Sequence, residues 1–380
     1  HPYYAQSLLN LGKLYYAMHR YYDAKKYLLE SRMIYESNYG SNSKEYASPT
    51  YVLAKLYFDM QEYDKAEGYF IDAILIYKEV FGQGDMNYIT AVFELATLYK
   101  VKKDFKKAEP LYKEIKLIYE QLYGKNTVEY AHALSNYAEI KDFLGESTVA
   151  EQYLLRALEL FEKFFGKKHQ YYNLTIQKLA RVTNNMNEYE KSLSYWEITL
   201  EQNIQKIKNF FPAMSEDEKG RFYNTVKPFF EEFTSFVVKW YKKDPSLLVR
   251  LYNNQLITKA LLLNSTSKVR RRILNSGDQQ LIDKFNSWLD LKEKLARFYS
   301  LSKERLEKSR IDLKLYEKKV NLLERELTKE SELFAQGYAK EEVKWSDIKN
   351  SLKGNEAAVE IMRFRVFDHT WTDSVNYIYM

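Results

Sequence analysis

A 42-residue period is the feature that most constrains this chain. Glycine, tyrosine, alanine and leucine each recur at that spacing and in one common register. The columns are Gly40, Gly82, Gly124 and Gly166; Tyr4, Tyr46, Tyr88, Tyr130 and Tyr172; Gly12, Ala54, Ala96, Ala138 and Ala180; Ala24, Ala66, Ala108 and Ala150; and Leu11, Leu53, Leu95, Tyr137 and Leu179. So many columns in register indicate repeated units that bury their faces by stacking on one another.

Each unit carries two apolar patterns of helical period. In the second unit these are YVLAKLYFDM and YDKAEGYFIDAILIYKEVF. The Gly or Ala columns are expected where two helix backbones cross closely, and the glycine column follows the second helix, where a left-handed cap is predicted. These columns predict packing and do not identify a ligand.

A helix–turn–helix unit with the pattern Leu-Gly/Ala-x-x-Tyr and a later Ala resembles the tetratricopeptide repeat. Its long period is similar to that of the kinesin-light-chain-type variant. The resemblance covers about residues 1–201 and predicts an all-α solenoid of about five units over residues 1–204. In the fifth unit Lys208 replaces the expected glycine, which predicts one long final helix. His1 aligns with His169, so we expect further repeats to precede His1.

After residue 211 the period is lost, and residues 205–344 are predicted to form a helical linker domain. A capping-box pattern at Ser215 and Glu218 predicts a helix start, with an interruption near Pro228. Two long helical patterns follow in residues 279–334, and the second has a coiled-coil seam that predicts an antiparallel hairpin. The seam is Leu313, Tyr316, Val320, Leu323 and Leu327.

The last segment, AAVEIMRFRVFDHTWTDSVNYIYM, predicts two strands around a short polar loop. Together with SEDEKGRFYNTVKPFFEEFTSF, LYNNQLITKALLLN, LLERELTKES and VKWSDIKNSLKGNEAAVEIMRFRVFD, it resembles successive segments of bacterial proteins in which tetratricopeptide repeats precede a CHAT domain. The resemblance implies that residues 345–380 are the truncated start of a caspase-like α/β domain. It also implies that the repeats recruit or regulate for a CHAT-type caspase-like cysteine protease. The family's catalytic His and Cys would then follow Met380, and His369 is not expected to be that histidine.

An autonomous tetratricopeptide-repeat scaffold or sensor without protease activity is the alternative. The chain contains no cysteine, so we expect it to have no protease activity by itself and no cysteine-ligated zinc. We predict no cofactor. No apolar run approaches the roughly 18 residues of a membrane helix, and we expect a cytoplasmic protein that does not bind a membrane.

The charge distribution favours an acidic partner. Residues 205–345 contain 29 Lys and Arg against 20 Asp and Glu, and the KVRRR run at 268–272 is the densest basic segment. Without interleaved aromatic residues, this run is expected to form a solvated or acid-paired helix face, ahead of a site for an acidic protein partner, and nucleic acid is an unlikely ligand.

The concave face of the repeats, lined by the first helix of each unit, is the predicted groove for a protein or peptide ligand. Amide and ammonium groups there would hold a peptide backbone or carboxylate, and aromatic rings would anchor an apolar side chain. The predicted groove residues are Asn10, Lys13, Tyr51, Lys55, Phe93, Asn136 and Arg181. The alternative for each is that it only contacts neighbouring helices.

Overall fold

A computed structural model describes residues 2–167, 169–210, 216–299, 306, 308–330, 344–353, 356–359, 361–368 and 370–379. Within these ranges the side chains of residues 208–210, 216, 259–272, 296, 299, 328, 330, 368, 370, 371, 373 and 379 are left out of the description. The chain divides into two compact units, His1–Ser192 and Leu193–Met380.

The first unit is a succession of helix pairs with constant lengths. The first helices of the pairs have 16 residues each: α1 Pro2–Ala17, α3 Lys44–Asp59, α5 Met86–Val101, α7 Val128–Phe143 and α9 Gln170–Asn185. The second helices have 19 residues: α2 Tyr21–Tyr39, α4 Tyr63–Phe81, α6 Phe105–Tyr123 and α8 Ser147–Phe165. The next helix, α10 Tyr189–Phe210, has 22 residues, in line with the predicted long final helix. The first unit ends at Ser192, and the rest of α10 belongs to the second unit. This alternation confirms the predicted α-solenoid.

The linkers between pairs show why the glycine column exists. Gly40 and Gly82 adopt φ of 83° and 82° with ψ of 166° and 170°, a region that is open essentially to glycine alone. A few residues later a side chain caps the next helix: the Ser43 hydroxyl accepts from the Tyr46 N–H, and Thr127 does the same for Tyr130. These acceptors satisfy N–H groups that a helix start would otherwise leave unpaired.

The core lies between successive pairs. Leu56, Leu98 and Ile140 occupy one column of the first helices, and each is fully buried where its helix packs on the preceding second helix. In α1 the same column holds Leu14, which is 55% exposed. Within the described residues no preceding pair covers Leu14. The expectation that further repeats precede His1 stays a prediction.

The second unit is helical with one β-hairpin. Its elements are α11 Glu216–Trp240, α12 Ser246–Leu274, α13 Gln279–Tyr299, α14 Leu313–Glu330, α15 Trp345–Ser351, β1 Ile361–Asp368 and β2 Thr370–Tyr379. The helix α11 continues through Pro228, so the predicted interruption there is wrong. A proline removes one hydrogen bond, and burial of Phe230 and Phe233 on the same helix outweighs that loss. Ser215 lies outside the described residues.

Helices α13 and α14 form the antiparallel pair that the seam predicts. The Phe298 and Tyr316 rings are 4.9 Å apart near one end, and Lys284 pairs with Glu326 at 3.9 Å towards the other. Val320 and Leu327 of the seam are buried in one cluster with residues of α13, and the other seam residues pack against it.

The hairpin is antiparallel, with Ile361 opposite Tyr379 and Asp368 opposite Thr370. Met362 and Phe364 are buried, and the Phe367 N–H donates a hydrogen bond of 3.0 Å to the Ser235 hydroxyl of α11. The two predicted strands are therefore present. His369 lies outside the described residues. Across the described helices, none combines the length and apolar character needed to cross a membrane.

Candidate partner-binding site on the first helices

The exposed and half-buried side chains of α1, α3, α5, α7 and α9 form what we call the first-helix surface. All seven predicted groove residues lie on these helices. Lys13, Lys55 and Arg181 occupy the same position in three repeats. Asn10 and Lys13 are exposed, whereas the other five predicted residues are half-buried.

The two predicted aromatic anchors are largely part of the core. The Tyr51 ring packs edge-on against Phe70 at 6.2 Å, and Phe93 does the same against Tyr112 at 5.8 Å. Burial, with a smaller contribution from the Glu94 carboxylate, raises the pKa of Tyr51 well above its ordinary range. Each ring therefore presents only part of its area to a ligand.

Polar bridges link consecutive first helices along this surface. The Tyr16 hydroxyl of α1 donates a 2.5 Å hydrogen bond to Asp59 of α3. Burial and this hydrogen bond both raise the pKa of Tyr16. Between α3 and α5, Lys55 pairs with Glu94 at 3.3 Å. The predicted groove lysine at position 55 therefore already has a carboxylate partner.

The bridge across α5, α7 and α9 is different, because one carboxylate there meets three cations. Glu139 of α7 lies 3.3 Å from Lys178, 3.5 Å from Lys100 and 3.9 Å from Arg181. We call these four residues the Glu139 cluster. The side chains of Glu139, Lys178 and Arg181 are less than a fifth exposed.

Charge attraction decides the ionisation of this cluster. Burial by itself would raise the pKa of Glu139, but the attraction of Lys178, Lys100 and Arg181 holds that pKa well below the ordinary 4.5. Burial and the neighbouring cations lower the pKa of Lys178 despite its attraction to Glu139. For Lys100, attraction to Glu139 outweighs burial, and its pKa is raised. Glu139 and Lys100 are thus ionised at neutral pH.

Sequence reasoning found Arg181 but missed Lys100, Glu139 and Lys178. A signal for them was present. Lys100 precedes Glu139 by 39 residues, and Glu139 precedes Lys178 by the same interval, as Lys55 precedes Glu94. A spacing of one repeat less three residues brings side chains together across adjacent first helices. Opposite charges at this interval therefore mark the pairs Lys55–Glu94, Lys100–Glu139 and Glu139–Lys178.

Comparison with known families identifies the repeats. A sequence model of the tetratricopeptide repeat matches residues 3–79, 46–114 and 87–163. The helix pairs from α1–α2 to α7–α8 match the tetratricopeptide repeat. Together the matches span residues 3–163, which contain most of the first-helix surface but not α9.

Several solved structures align with this chain at low sequence identity. The nearly identical TPR-like repeats of a Podosopora anserina kinesin light chain align with 15% identity and a TM-score of 0.49, covering 54% of this chain and 98% of that one. The apo form of RapI aligns with 15% identity and a TM-score of 0.49 over 88% and 98% of the two chains. BtubC of P. vanneervenii aligns at 18% identity and a TM-score of 0.46 over 52% and 78%. No curated protein matches the chain.

Proposed function

We propose that this chain is a protein-interaction solenoid whose first-helix surface binds a segment of a partner protein. The observation that carries the proposal is the Glu139 cluster, in which three cations share one carboxylate on a surface that remains partly accessible. Lys13 adds an exposed cation on the same surface. Both features favour a partner segment that carries carboxylates.

The seven predicted residues enter this proposal with different weights. Lys13 and Asn10 are exposed and free to contact a ligand directly, since the one hydrogen bond of Asn10 in the described residues is with Gln6 on the same helix. Lys55 and Arg181 already face carboxylates, so they would contribute mainly to the charge of the surface. Tyr51 and Phe93 would supply apolar contact through their exposed edges, beside the half-buried Asn136.

The second part of the proposal concerns the domains of the chain and the role of the repeats beside them. We propose three regions: repeats over 1–204, a helical linker domain over 205–344, and the start of a CHAT domain over 345–380. On that assignment the solenoid recruits or regulates for a caspase-like cysteine protease in the cytoplasm. The observed hairpin order, β1 then β2 after the short helix α15, is what supports it. An autonomous scaffold or sensor remains the competing proposal. A His followed by a Cys after Met380 would favour the protease.

Selection from a displayed library of random dodecapeptides tests the binding proposal. We expect the wild-type chain to enrich Asp- and Glu-containing peptides. The triple variant Lys13→Glu, Lys55→Glu, Arg181→Glu should lose them. Lys55 and Arg181 are half-buried and paired with carboxylates, so the helical circular-dichroism signal of the variant is compared with that of the wild type to confirm that it is folded.

A matched control reverses three exposed lysines on the second helices: Lys26→Glu, Lys106→Glu and Lys163→Glu. This variant has the same net charge as the triple groove variant and should retain the selected peptides. Unchanged affinity of the groove variant for those peptides at moderate salt would rule out the first-helix surface as the binding site.

A further inference from the structure

The linker between α8 and α9 differs from the preceding linkers in the residue that caps the next helix. By the 42-residue period, position 169 is equivalent to Ser43, Asp85 and Thr127. The side-chain oxygen of each of these three residues accepts a hydrogen bond from a backbone N–H in the first turn of the following helix. In the linker before α9, the Nδ1 atom of His169 takes this role and accepts from the Tyr171 N–H at 3.3 Å. Among these four caps, that of α9 therefore depends on an unprotonated imidazole nitrogen.

Aromatic rings hold His169 in its capping position. Its ring stacks on that of Phe165, the last residue of α8, with centroids 4.3 Å apart and an interplanar angle of 15°. The centroid of the Tyr171 ring of α9 lies 4.8 Å from that of His169. The backbone carbonyl of His169 also accepts a hydrogen bond of 3.2 Å from the Asn173 N–H. The imidazole thus connects the end of α8 with the start of α9.

A second histidine belongs to the same group of rings. His132 of α7 contacts the Tyr171 ring edge-on, with centroids 4.1 Å apart, and its centroid lies 4.9 Å from that of Phe161 of α8. Tyr171 is therefore in contact with both histidines. The junction joins α7, α8 and α9 through rings of which two can be protonated.

Charged groups of this junction come from each of its elements: Glu129 of α7, Glu162 of α8, Lys167 of the linker and Lys178 of α9. Glu162 and Lys167 pair with each other at 3.4 Å. Burial lowers the pKa of His132, and Lys178 and His169 lower it further. The Glu129 carboxylate acts in the opposite direction, but burial outweighs it. The stability that neutral His132 contributes is therefore present at neutral pH and is lost as the pH falls below about 6.5 towards the folded value.

We propose that His169 is a pH-sensitive cap, which fastens the start of α9 to the end of α8 at neutral pH and releases it in mild acid. Histidine is the side chain whose charge ordinarily changes between about pH 5 and 8. Protonation turns Nδ1 from an acceptor into a donor, so the hydrogen bond from the Tyr171 N–H is lost. It also places a positive charge at the N-terminus of α9, where the helix dipole disfavours a cation.

The release should be confined to the first turns of α9. Further along this helix, Lys178 donates a hydrogen bond of 3.1 Å to the Ser135 carbonyl of α7, and this contact does not involve His169. The first-helix surface would then change at its α9 end in mild acid, whether or not a partner segment binds there. The inference is therefore independent of the proposed function.

Hydrogen–deuterium exchange of the full chain at about pH 7.5 and about pH 5.5, corrected for the intrinsic pH dependence of exchange, tests the inference. Peptides that cover the first two turns of α9 report on the cap. Peptides from the first two turns of α7 are the internal control, because the Thr127 hydroxyl that caps α7 does not titrate in this range. In mild acid we expect protection at the start of α9 to fall by about fivefold, the size of effect that loss of a cap produces, and protection at the start of α7 to change by less than about twofold.

Two variants separate the cap from the group of rings. His169→Asn keeps a side-chain acceptor at the cap but does not titrate, so it should abolish the difference between the two pH values at the start of α9. His132→Phe keeps a ring against Tyr171 and removes the other titrating group. It should leave most of the response of α9 in place.

An unchanged protection at the start of α9 in the wild type, or an equal fall at the start of α7, would overturn the inference, and this comparison requires no variant to fold. A response that His169→Asn retains and His132→Phe abolishes would overturn it as well, because the release would then come from protonation of His132 and not from the cap.

Discussion

The first repeat and the interior repeats carry the same residue columns in different surroundings. Leu14 and Leu56 are equivalent leucines, yet Leu14 is 55% exposed and Leu56 is fully buried. Tyr4 and Tyr46 differ in the same way, with 53% and 5% of their surface exposed. The difference shows that these columns are filled by the neighbouring repeat, because no residue within a single pair can cover them.

The linker glycines, in contrast, have the same surroundings in the first and the second repeat. Gly40 and Gly82 adopt nearly identical backbone angles in the first and the second repeat, and no heavy atom lies within 4 Å of the position that a Cβ would occupy at either one. Their role is set by the backbone of their own linker. The repeat therefore contains columns that depend on stacking and columns that do not.

The largest expected difference in stability is between Leu56→Ala in an interior repeat and Leu14→Ala in the first repeat. We expect Leu56→Ala to lower the free energy of unfolding by about 2–5 kcal/mol, since it leaves a cavity between two repeats. Leu14→Ala should cost about 1 kcal/mol or less, because much of that side chain is already in water. Urea unfolding followed by circular dichroism measures both. Equal losses would mean that Leu14 is covered in solution, and the comparison would then fail.

The glycine column should respond equally in both repeats. We expect Gly40→Ala and Gly82→Ala each to lower the free energy of unfolding by about 1–3 kcal/mol, because alanine strains this backbone region. Gly68, which lies within α4 with open space at its Cβ position, is the control. Gly68→Ala should stabilise the chain by about 0.5–1 kcal/mol through helix propensity. A large difference between Gly40→Ala and Gly82→Ala would show that the linkers also depend on stacking.

Lowering the pH should affect the Glu139 cluster more than the bridge between Tyr16 and Asp59. The pKa of Glu139 lies below 4.5 in the folded chain, so its contribution to stability is present above that pH and is lost as the pH falls towards the folded value. Between neutral pH and about pH 3, we expect the free energy of unfolding to fall by less in Glu139→Gln than in the wild type, with a difference on the order of 1 kcal/mol. Urea unfolding at the two pH values gives the difference.

Two controls accompany that measurement. Glu94→Gln alters a bridge with a single cation, and Tyr16→Phe alters the first bridge, in which a hydroxyl is the donor. Both should keep more of the wild-type acid sensitivity than Glu139→Gln does. If Glu139→Gln retains the full wild-type pH dependence, other carboxylates are responsible for it.

The sequence determined the periodic part of this protein. Spacing alone predicted the helix pairs, the positions of the linker glycines and the greater length of α10, because helix length, helix caps and the crossing of two helices depend on residues within one unit. The α13–α14 pair could also be predicted from the sequence, since the apolar residues of its seam repeat along one helix face. Near Pro228 the local rule gave the wrong answer, because burial of the neighbouring phenylalanines decides the helix.

The tertiary structure decided which side chains meet. Tyr51 and Phe93 looked like ligand anchors by position, but packing against the second helices takes most of their surface. The Glu139 cluster joins residues from three repeats, and its ionisation depends on burial together with three cations at once. Sequence periodicity places a residue on a helix face. Distance, burial and charge balance arise only when the helices stack, because each of them depends on neighbours that lie a whole repeat away along the chain.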